Sequence, residues 1–377
     1  MVLLEIDHKQ LETFISKHYN TNLSLFIWGT TGIGKSESME KKAADTAKEH
    51  KREFVKWNQT TKKEKKEISL HPEKYFVLMD IRLSQMDPSD LKGLPGMSDT
   101  GDTVDWKIPF WLYVATLENS EGFLFFDEIN LAPPSIQASA YQLILDRALG
   151  EVTIAEGYSV FAAGNRIEDK ANVYDLPKPL QNRFDHVTLK IPNIEDWTQW
   201  ALDHNKDSRI VAFLNARPAM LMPPIKTKSN DMAFPTPRTW GKNCNRLIEG
   251  VKDIRQIEIL ASSCVGRGAS MEFASFLKFQ RQINLQEILD DPKSVTKITE
   301  LDMKYSLLSL VAEWYDAHSQ PKDLEKILQI ANYIQAEFAI LLLRFSKAKH
   351  QAKFKKQVPT LKTWKVIWNK YGKYFDL

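Results

Sequence analysis

Gly29-Thr30-Thr31-Gly32-Ile33-Gly34-Lys35-Ser36 is a run of residue types able to hold a chain of phosphates. Glycines at this spacing let successive backbone N–H groups turn inward without Cβ clashes, making a nest for an anion. Lys35 adds a mobile positive charge for the β- and γ-phosphates, and Ser36 a hydroxyl for Mg²⁺. The run fits G-x-x-x-x-G-K-[ST], the P-loop, so Gly29 to Ser36, with Glu37 behind them, are candidate ligands of a nucleoside triphosphate. An ordinary glycine-rich turn is the plain alternative. The flanks weigh against it: Leu23 to Trp28 is a short apolar run suited to a buried strand, and Glu37 to Glu49 reads as a helix.

A second cluster follows about ninety residues later, in Gly122-Phe123-Leu124-Phe125-Phe126-Asp127-Glu128-Ile129-Asn130. Its apolar residues predict a strand buried on both faces, as in a parallel sheet covered by helices. Carboxylates at the carboxyl end of such a strand stand where open α/β sheets bind ligands. Asp127 is a candidate to hold Mg²⁺ through water, and Glu128 to polarise an attacking water. Strands often end in acids, so it is the preceding P-loop that gives this pair its meaning. Tyr158 to Gly164 predicts another core strand, ending in Asn165. That amide could hydrogen-bond the γ-phosphate or the water, or could simply form a turn after glycine.

Further strands are predicted at Tyr75 to Ile81 and His186 to Ile191, giving five in a parallel sheet within residues 1–192. Residues 1–22 read as a short helix leading into the first strand, with Leu11, Phe14 and Ile15 on one face. The lysine-rich Lys48 to Glu67 mixes acids with bases and reads as an exposed helical or irregular insertion, with a nucleic-acid patch around Phe54 and Trp57 as the alternative. Met97 to Trp106 suggests a small hairpin turning at Asp99-Thr100-Gly101-Asp102, and Arg147 to Ile154 a short strand or hairpin arm. After Pro192 the periodicity is helical throughout. Residues 193–281 read as one helical block and 282–377 as another, in which Leu324, Leu328, Ala331, Ile334, Phe338, Leu341 and Phe345 predict one long amphipathic helix. Near the end, a basic run from Lys347 to Lys356 precedes Trp364, Trp368 and Tyr371, a stripe suited to packing or, less simply, to nucleic acid.

Composition sets outer bounds. A chain of 377 residues with 43% hydrophobic and 26% charged residues is of the soluble globular class, with length for two or three domains. A net charge of +3 does not imply a polyanion partner for the chain as a whole, though local basic runs stay open. Cys244 and Cys264 lack zinc spacing and read as buried free thiols. The first residues carry acid where an export signal needs base, and the longest apolar run, Phe338 to Leu343, is far short of a membrane span. A cytoplasmic protein with no membrane contact is the expectation.

Gly29 to Ser36, Phe123 to Glu128, Ala162 to Asn165 and Asn182-Arg183-Phe184-Asp185 occur in the order that resembles the AAA+ ATPases. Arg82 to Pro95, Tyr141 to Arg147, Phe234 to Trp240 and Val265 to Ala269 are similar to the MoxR branch of that family and its dynein-related, midasin-like relatives. The resemblance covers about residues 5–280 and leaves 282–377 unexplained. It implies an α/β fold, the αβα sandwich of P-loop NTPases, followed by an all-helical lid and then a helical C-terminal extension. It also implies ATP and Mg²⁺ as cofactors, with Lys35 and Ser36 as Walker A, Asp127 and Glu128 as Walker B, and Asn165 as sensor 1. Arg183 would be the arginine finger and Arg238 sensor 2; plainer roles are a pairing of Arg183 with Asp185 and an exposed helix-start position for Arg238. The loop Gly93 to Pro109, with Trp106, resembles the family's pore-facing insertion.

The function so implied is a ring ATPase, a homo-oligomer most often hexameric, which remodels or activates a protein partner such as a von Willebrand factor A-domain protein. A nucleic-acid motor or effector on the same fold is the alternative, with Lys347 to Lys356 and the stretch from Lys48 to Lys66 as its contacts. A non-hydrolysing nucleotide-binding scaffold is a third, opposed by the complete set of Lys35, Asp127, Glu128, Asn165 and Arg183.

Overall fold

The computed structural model describes residues 3–97, 102–149, 152–166, 174–224 and 232–374. It divides into two compact units, residues 1–191 and 192–377. The first unit is built on a seven-stranded sheet, two strands more than its apolar runs suggest. In chain order its strands and helices begin β1 (Leu4–Ile6), α1 (His8–Thr21), β2 (Leu25–Trp28), α2 (Lys35–Glu49), β3 (Glu53–Lys56), α3 (Lys62–Leu70) and β4 (Tyr75–Ile81). Then come α4 (Pro88–Lys92), a hairpin of β5 (Leu94–Met97) and β6 (Val104–Lys107), α5 (Phe110–Thr116), β7 (Glu121–Phe126) and α6 (Pro134–Asp146). A two-residue ribbon of β8 (Ala148–Leu149) and β9 (Val152–Thr153), β10 (Tyr158–Gly164), α7 (Lys178–Gln181) and β11 (Asp185–Leu189) complete it.

The sheet order is β1-β11-β2-β10-β7-β4-β3, and every pairing in it is parallel. The two strands missed from sequence are its edges. Edge strands are short and half-polar, so they lack the apolar run that marks a central one. Thus residues 1–22 hold a strand before their helix, and Lys48 to Glu67 is no insertion but the edge strand β3 and the start of α3. Of the hairpin expected at 97–106, β5 and β6 pair antiparallel, while the turn at 98–101 lies outside the described residues. Gly93 fixes its root: φ is +86°, and a Cβ there would lie 2.1 Å from the carbonyl oxygen of Lys107.

Alternation along the central strands feeds two cores. One face carries Phe26, Val77, Met79, Leu124, Phe126 and Val160 against Leu112 and Val114 of α5 and Leu143 and Ile144 of α6. The other carries Phe76, Phe123 and Phe161, stacked edge-on in series and met by Tyr19 of α1. Helices thus cover both faces, which is why β7 and β10 read as unbroken apolar runs. α1 is entered through a capping box of Asp7 and Gln10 and leaves through Asn22 in the left-handed region at φ 58°.

The second unit is all-helical. Its helices are α8 (Ile194–Asp203), α9 (Ser208–Ala216), α10 (Asn245–Leu247) after a π-helical turn at Thr239–Cys244, α11 (Ile254–Val265) and α12 (Arg267–Gln280). They continue as α13 (Leu285–Asp290), α14 (Leu301–His318), α15 (Pro321–Tyr333), α16 (Ala336–Lys349), α17 (Gln351–Gln357) and α18 (Trp364–Tyr371). One apolar core runs from Trp197 to Tyr371, so residues 193–281 and 282–377 share it. Arg217 reaches across to Asp302 through two 2.6 Å hydrogen bonds, and Gln280 to Ser309 at 2.7 Å. The single long helix expected from Leu324 to Phe345 is in fact two. Ile334 (ψ 164°) and Gln335 (ψ 151°) take extended backbone between α15 and α16, without a proline or glycine to announce it. Among the described residues no helix is long and apolar enough to cross a membrane.

Candidate functional site

Because the sheet is parallel, the turns after β2, β4, β7 and β10 all leave from its carboxyl edge, where Lys35, Ser36, Asp127, Glu128 and Asn165 lie together. Gly29 to Gly34 wrap from β2 into α2. Gly32 and Gly34 take φ of 82° and 103°, a region that only glycine enters freely. Lys35, 7% exposed, folds back into the loop, where its ammonium donates to the carbonyls of Gly29 (2.5 Å) and Thr30 (3.0 Å) and to Asn165 Oδ1 (3.1 Å). Thr31 Oγ1 lies 3.5 Å from the same Asn165 oxygen. The loop is supported from beneath by His8, whose Nε2 donates to the carbonyl of Ile33 at 2.8 Å.

Ser36 Oγ donates to Asp127 Oδ2 at 2.6 Å, joining the P-loop helix to the end of β7 across 91 positions. Between those two strands lies β10, so Asn165 stands between the phosphate loop and the carboxylates. Glu128 directly follows Asp127 and has φ 53°, a strained backbone for a residue with a Cβ. Among the described residues the Glu128 side chain has no hydrogen bond or ion pair.

Three residues the sequence did not single out complete the site. Asn130, 2% exposed, clasps the backbone of Asn165: Nδ2 donates to its carbonyl at 2.7 Å and Oδ1 accepts its N–H at 3.2 Å. Arg82, just past β4, puts Nη2 3.4 Å from Asp80 Oδ2 and 3.9 Å from Asp127 Oδ2. Burial, then the negative charges of Asp127 and Glu128, push the Asp80 carboxyl above its ordinary range, and Arg82 opposes them. The signal for these residues was the strand order, which brings β4 beside β7 and β10 beside both halves of the site. Nothing in their local sequence carries it.

The donors fit a magnesium nucleotide. Ser36 and Asp127 offer two hard oxygens side by side, and Lys35 presents a buried ammonium at the mouth of a glycine cradle. Among the described residues no group of three or more His, Cys, Asp or Glu forms a cation cage. Mg²⁺ usually binds through one or two protein oxygens beside phosphate and water, a habit that Ser36 and Asp127 suit.

Arg183 is not brought to this cluster. It precedes β11, whose first residue Asp185 pairs with Leu25 at the start of β2, about 13 Å of strand from Gly29. It is exposed, and among the described residues its side chain has no partner. Asp185 instead accepts from His18 Nε2 at 3.0 Å. The loop holding Arg183 is pinned by His186, which accepts from Trp28 Nε1 (3.0 Å) and donates through Nε2 to the carbonyl of Gln181 (2.7 Å). Arg238 belongs to the second unit, exposed at the start of the π-helical turn.

No family model matches this chain, and no curated protein is similar to it in sequence. Among solved structures it is similar to NtrX of Brucella abortus in complex with ADP, at 14% identity and a TM-score of 0.36, covering 97% of this chain and 67% of that one. It is similar to RuvB of Thermotoga maritima, a Holliday junction branch migration motor, at 12% identity and a TM-score of 0.32, covering 80% and 86%. PCH-2 of C. elegans matches at 13% identity and a TM-score of 0.32, covering 81% and 68%.

Proposed function

We propose that the chain is an Mg²⁺-dependent ATPase of the AAA+ type, resembling its MoxR branch, which works as a ring to remodel or activate a protein partner. The observation that carries the hydrolytic reading is the 2.6 Å contact of Ser36 with Asp127, beside Lys35 on Asn165. Phosphoryl transfer to water asks the protein for positioning and charge rather than covalent chemistry. Bound magnesium would neutralise charge on the β- and γ-phosphate oxygens. Lys35 gives up its carbonyl partners to a phosphate and keeps Asn165 as its guide. Glu128, which has no hydrogen bond or ion pair among the described residues and follows Asp127 at the end of β7, orients a water and draws on its proton. Asn165, held at its backbone by Asn130, fixes the other side of that water.

Arg183 precedes β11, at the end of the sheet away from its own cradle, and its exposed guanidinium, without a partner among the described residues, suits a neighbouring subunit's nucleotide. Such a trans arginine is worth about 10³–10⁵ in rate, making hydrolysis contingent on assembly. A hexamer, a role for Arg238 as sensor 2 and a von Willebrand factor A-domain partner follow from the resemblance. The test is ATPase specific activity against protein concentration, with Arg183→Ala mixed into Glu128→Gln. Activity that rises with assembly and is restored in the mixture supports the trans site. Flat specific activity down to monomeric protein would sink it.

A further inference from the structure

The sharpest charge asymmetry in the chain lies in its C-terminal helices. From Arg344 to Lys373 the sequence holds ten of the 51 Lys and Arg and none of the 48 Asp and Glu. The other 347 residues thus carry 41 bases against 48 acids, a net of −7 beneath the overall +3. Solvated faces usually mix signs, as the stretch from Lys48 does with Glu49, Glu53, Glu64 and Glu67. Thirty residues of one sign are a different thing.

This segment is a built surface, not a loose tail. Phe354, Val358 and Ile367 are fully buried in the helical core, with Trp364 and Tyr371 nearly so. Thr363 donates its N–H and hydroxyl to Glu325 Oε1 (3.2 and 2.5 Å), and Lys370 donates to Asn332 (2.6 Å). Two acids of the neighbouring helices α14 and α15 are engaged in anchoring: Glu325 on Thr363, and Asp316 on His350 at 3.1 Å. Lys355, Lys356, Lys362 and Lys365 are exposed and, among the described residues, have no ion pair. The aromatic stripe divides. Trp364 and Tyr371 turn inward, while Trp368 stands 41% exposed between Lys365 and Lys370.

We propose that the segment from Arg344 to Lys373 binds nucleic acid, its lysines neutralising backbone phosphates without reading sequence and Trp368 offering a face on which a base stacks. Electrostatic contacts of this kind supply most non-specific affinity, and an aromatic platform among them favours unpaired bases. An anionic membrane would need an apolar face beside the charge. Of the large apolar side chains of α17 and α18, Phe354, Trp364, Ile367 and Tyr371 are spent on the core, and Val366 and Trp368 alone stay exposed, too little for a face that inserts. The proposal is independent of the nucleotide reading, since no residue of the P-loop enters it.

The test is fluorescence anisotropy with the full chain on labelled poly(dT) and a random duplex, each about 30 nucleotides long, from about 50 to about 200 mM KCl. The expected result is binding whose logarithm falls steeply with the logarithm of salt. K355E/K356E/K365E should weaken it at least about tenfold and lower the slope by about three on duplex and about two on poly(dT), at roughly 0.9 and 0.7 per phosphate contact. The gentler K355Q/K356Q/K365Q should lower the slope likewise, and W368A should weaken poly(dT) more than duplex. An unchanged circular dichroism spectrum and thermal midpoint show that the variants fold. Absence of salt-dependent binding, equal binding by the lysine variants, or binding to phosphatidylserine vesicles with none to nucleic acid would each overturn the proposal.

Discussion

Replacing Asn130 with alanine isolates a residue that touches neither phosphate loop nor carboxylate, yet holds the residue between them. Its amide supplies both partners of the Asn165 backbone, at 2.7 and 3.2 Å, in a place only 2% exposed. Each buried polar group left unpaired costs about 1–3 kcal/mol, so two, partly relieved by entering water, cost about 2–4 kcal/mol. For a unit of this size that lowers the midpoint of thermal unfolding by roughly 5–12 °C. The functional effect is separable. Asn165 Oδ1 sits 3.1 Å from the Lys35 ammonium only while its backbone is held, so turnover should fall by about 10²-fold, in the range of losing one transition-state contact. Nucleotide affinity should change little, because the glycine cradle stays in place and Lys35 is still held in it by the carbonyls of Gly29 and Thr30. Phosphate release, binding of a fluorescent ATP analogue and differential scanning fluorimetry, all well below the variant's midpoint, give the three numbers. A lowered midpoint with unchanged turnover would refute the reasoning and leave Asn130 a purely structural residue.

Arg82→Gln removes the cation nearest Asp80 and Asp127, leaving the edge more negative. The half-saturating Mg²⁺ concentration for nucleotide binding should fall by about fivefold, the worth of about 1 kcal/mol for a partly exposed pair; an increase would contradict the placement. Gly93→Ala drives a Cβ to within 2.1 Å of the Lys107 carbonyl oxygen at φ +86°, which must displace the root of the hairpin. Limited proteolysis should then cut within 94–107 several times faster, with nucleotide binding unaltered, and an unchanged digest would mean the hairpin tolerates the shift.

What could be read from the sequence was whatever is contiguous in it. Gly29 to Ser36 and Phe123 to Glu128 are local runs whose residue types already state their chemistry, and the central strands are long apolar stretches because helices cover both faces. The edges were hidden for the opposite reason: β1 has three residues, and β3 begins and ends in charge. The break between α15 and α16 was hidden too, since apolar spacing continues through Ile334 and Phe338 while the backbone between them leaves the helix. Asp80, Arg82 and Asn130 join the site through strand order alone, and strand order is a property of the whole sheet. Splitting Trp364 and Tyr371 from Trp368 likewise needed the packed helices, because all three share a helical spacing.

In the proposed ATPase one cluster both holds and hydrolyses ATP, with the two tasks on different residues. Glu128→Gln and Lys35→Ala, measured side by side for binding of a fluorescent ATP analogue and for phosphate release in Mg²⁺, test it most directly. The account predicts that Glu128→Gln keeps affinity within a few-fold of the native chain and loses turnover, while Lys35→Ala loses binding itself. Equal nucleotide affinity in the two variants, or full turnover in Glu128→Gln, would contradict it.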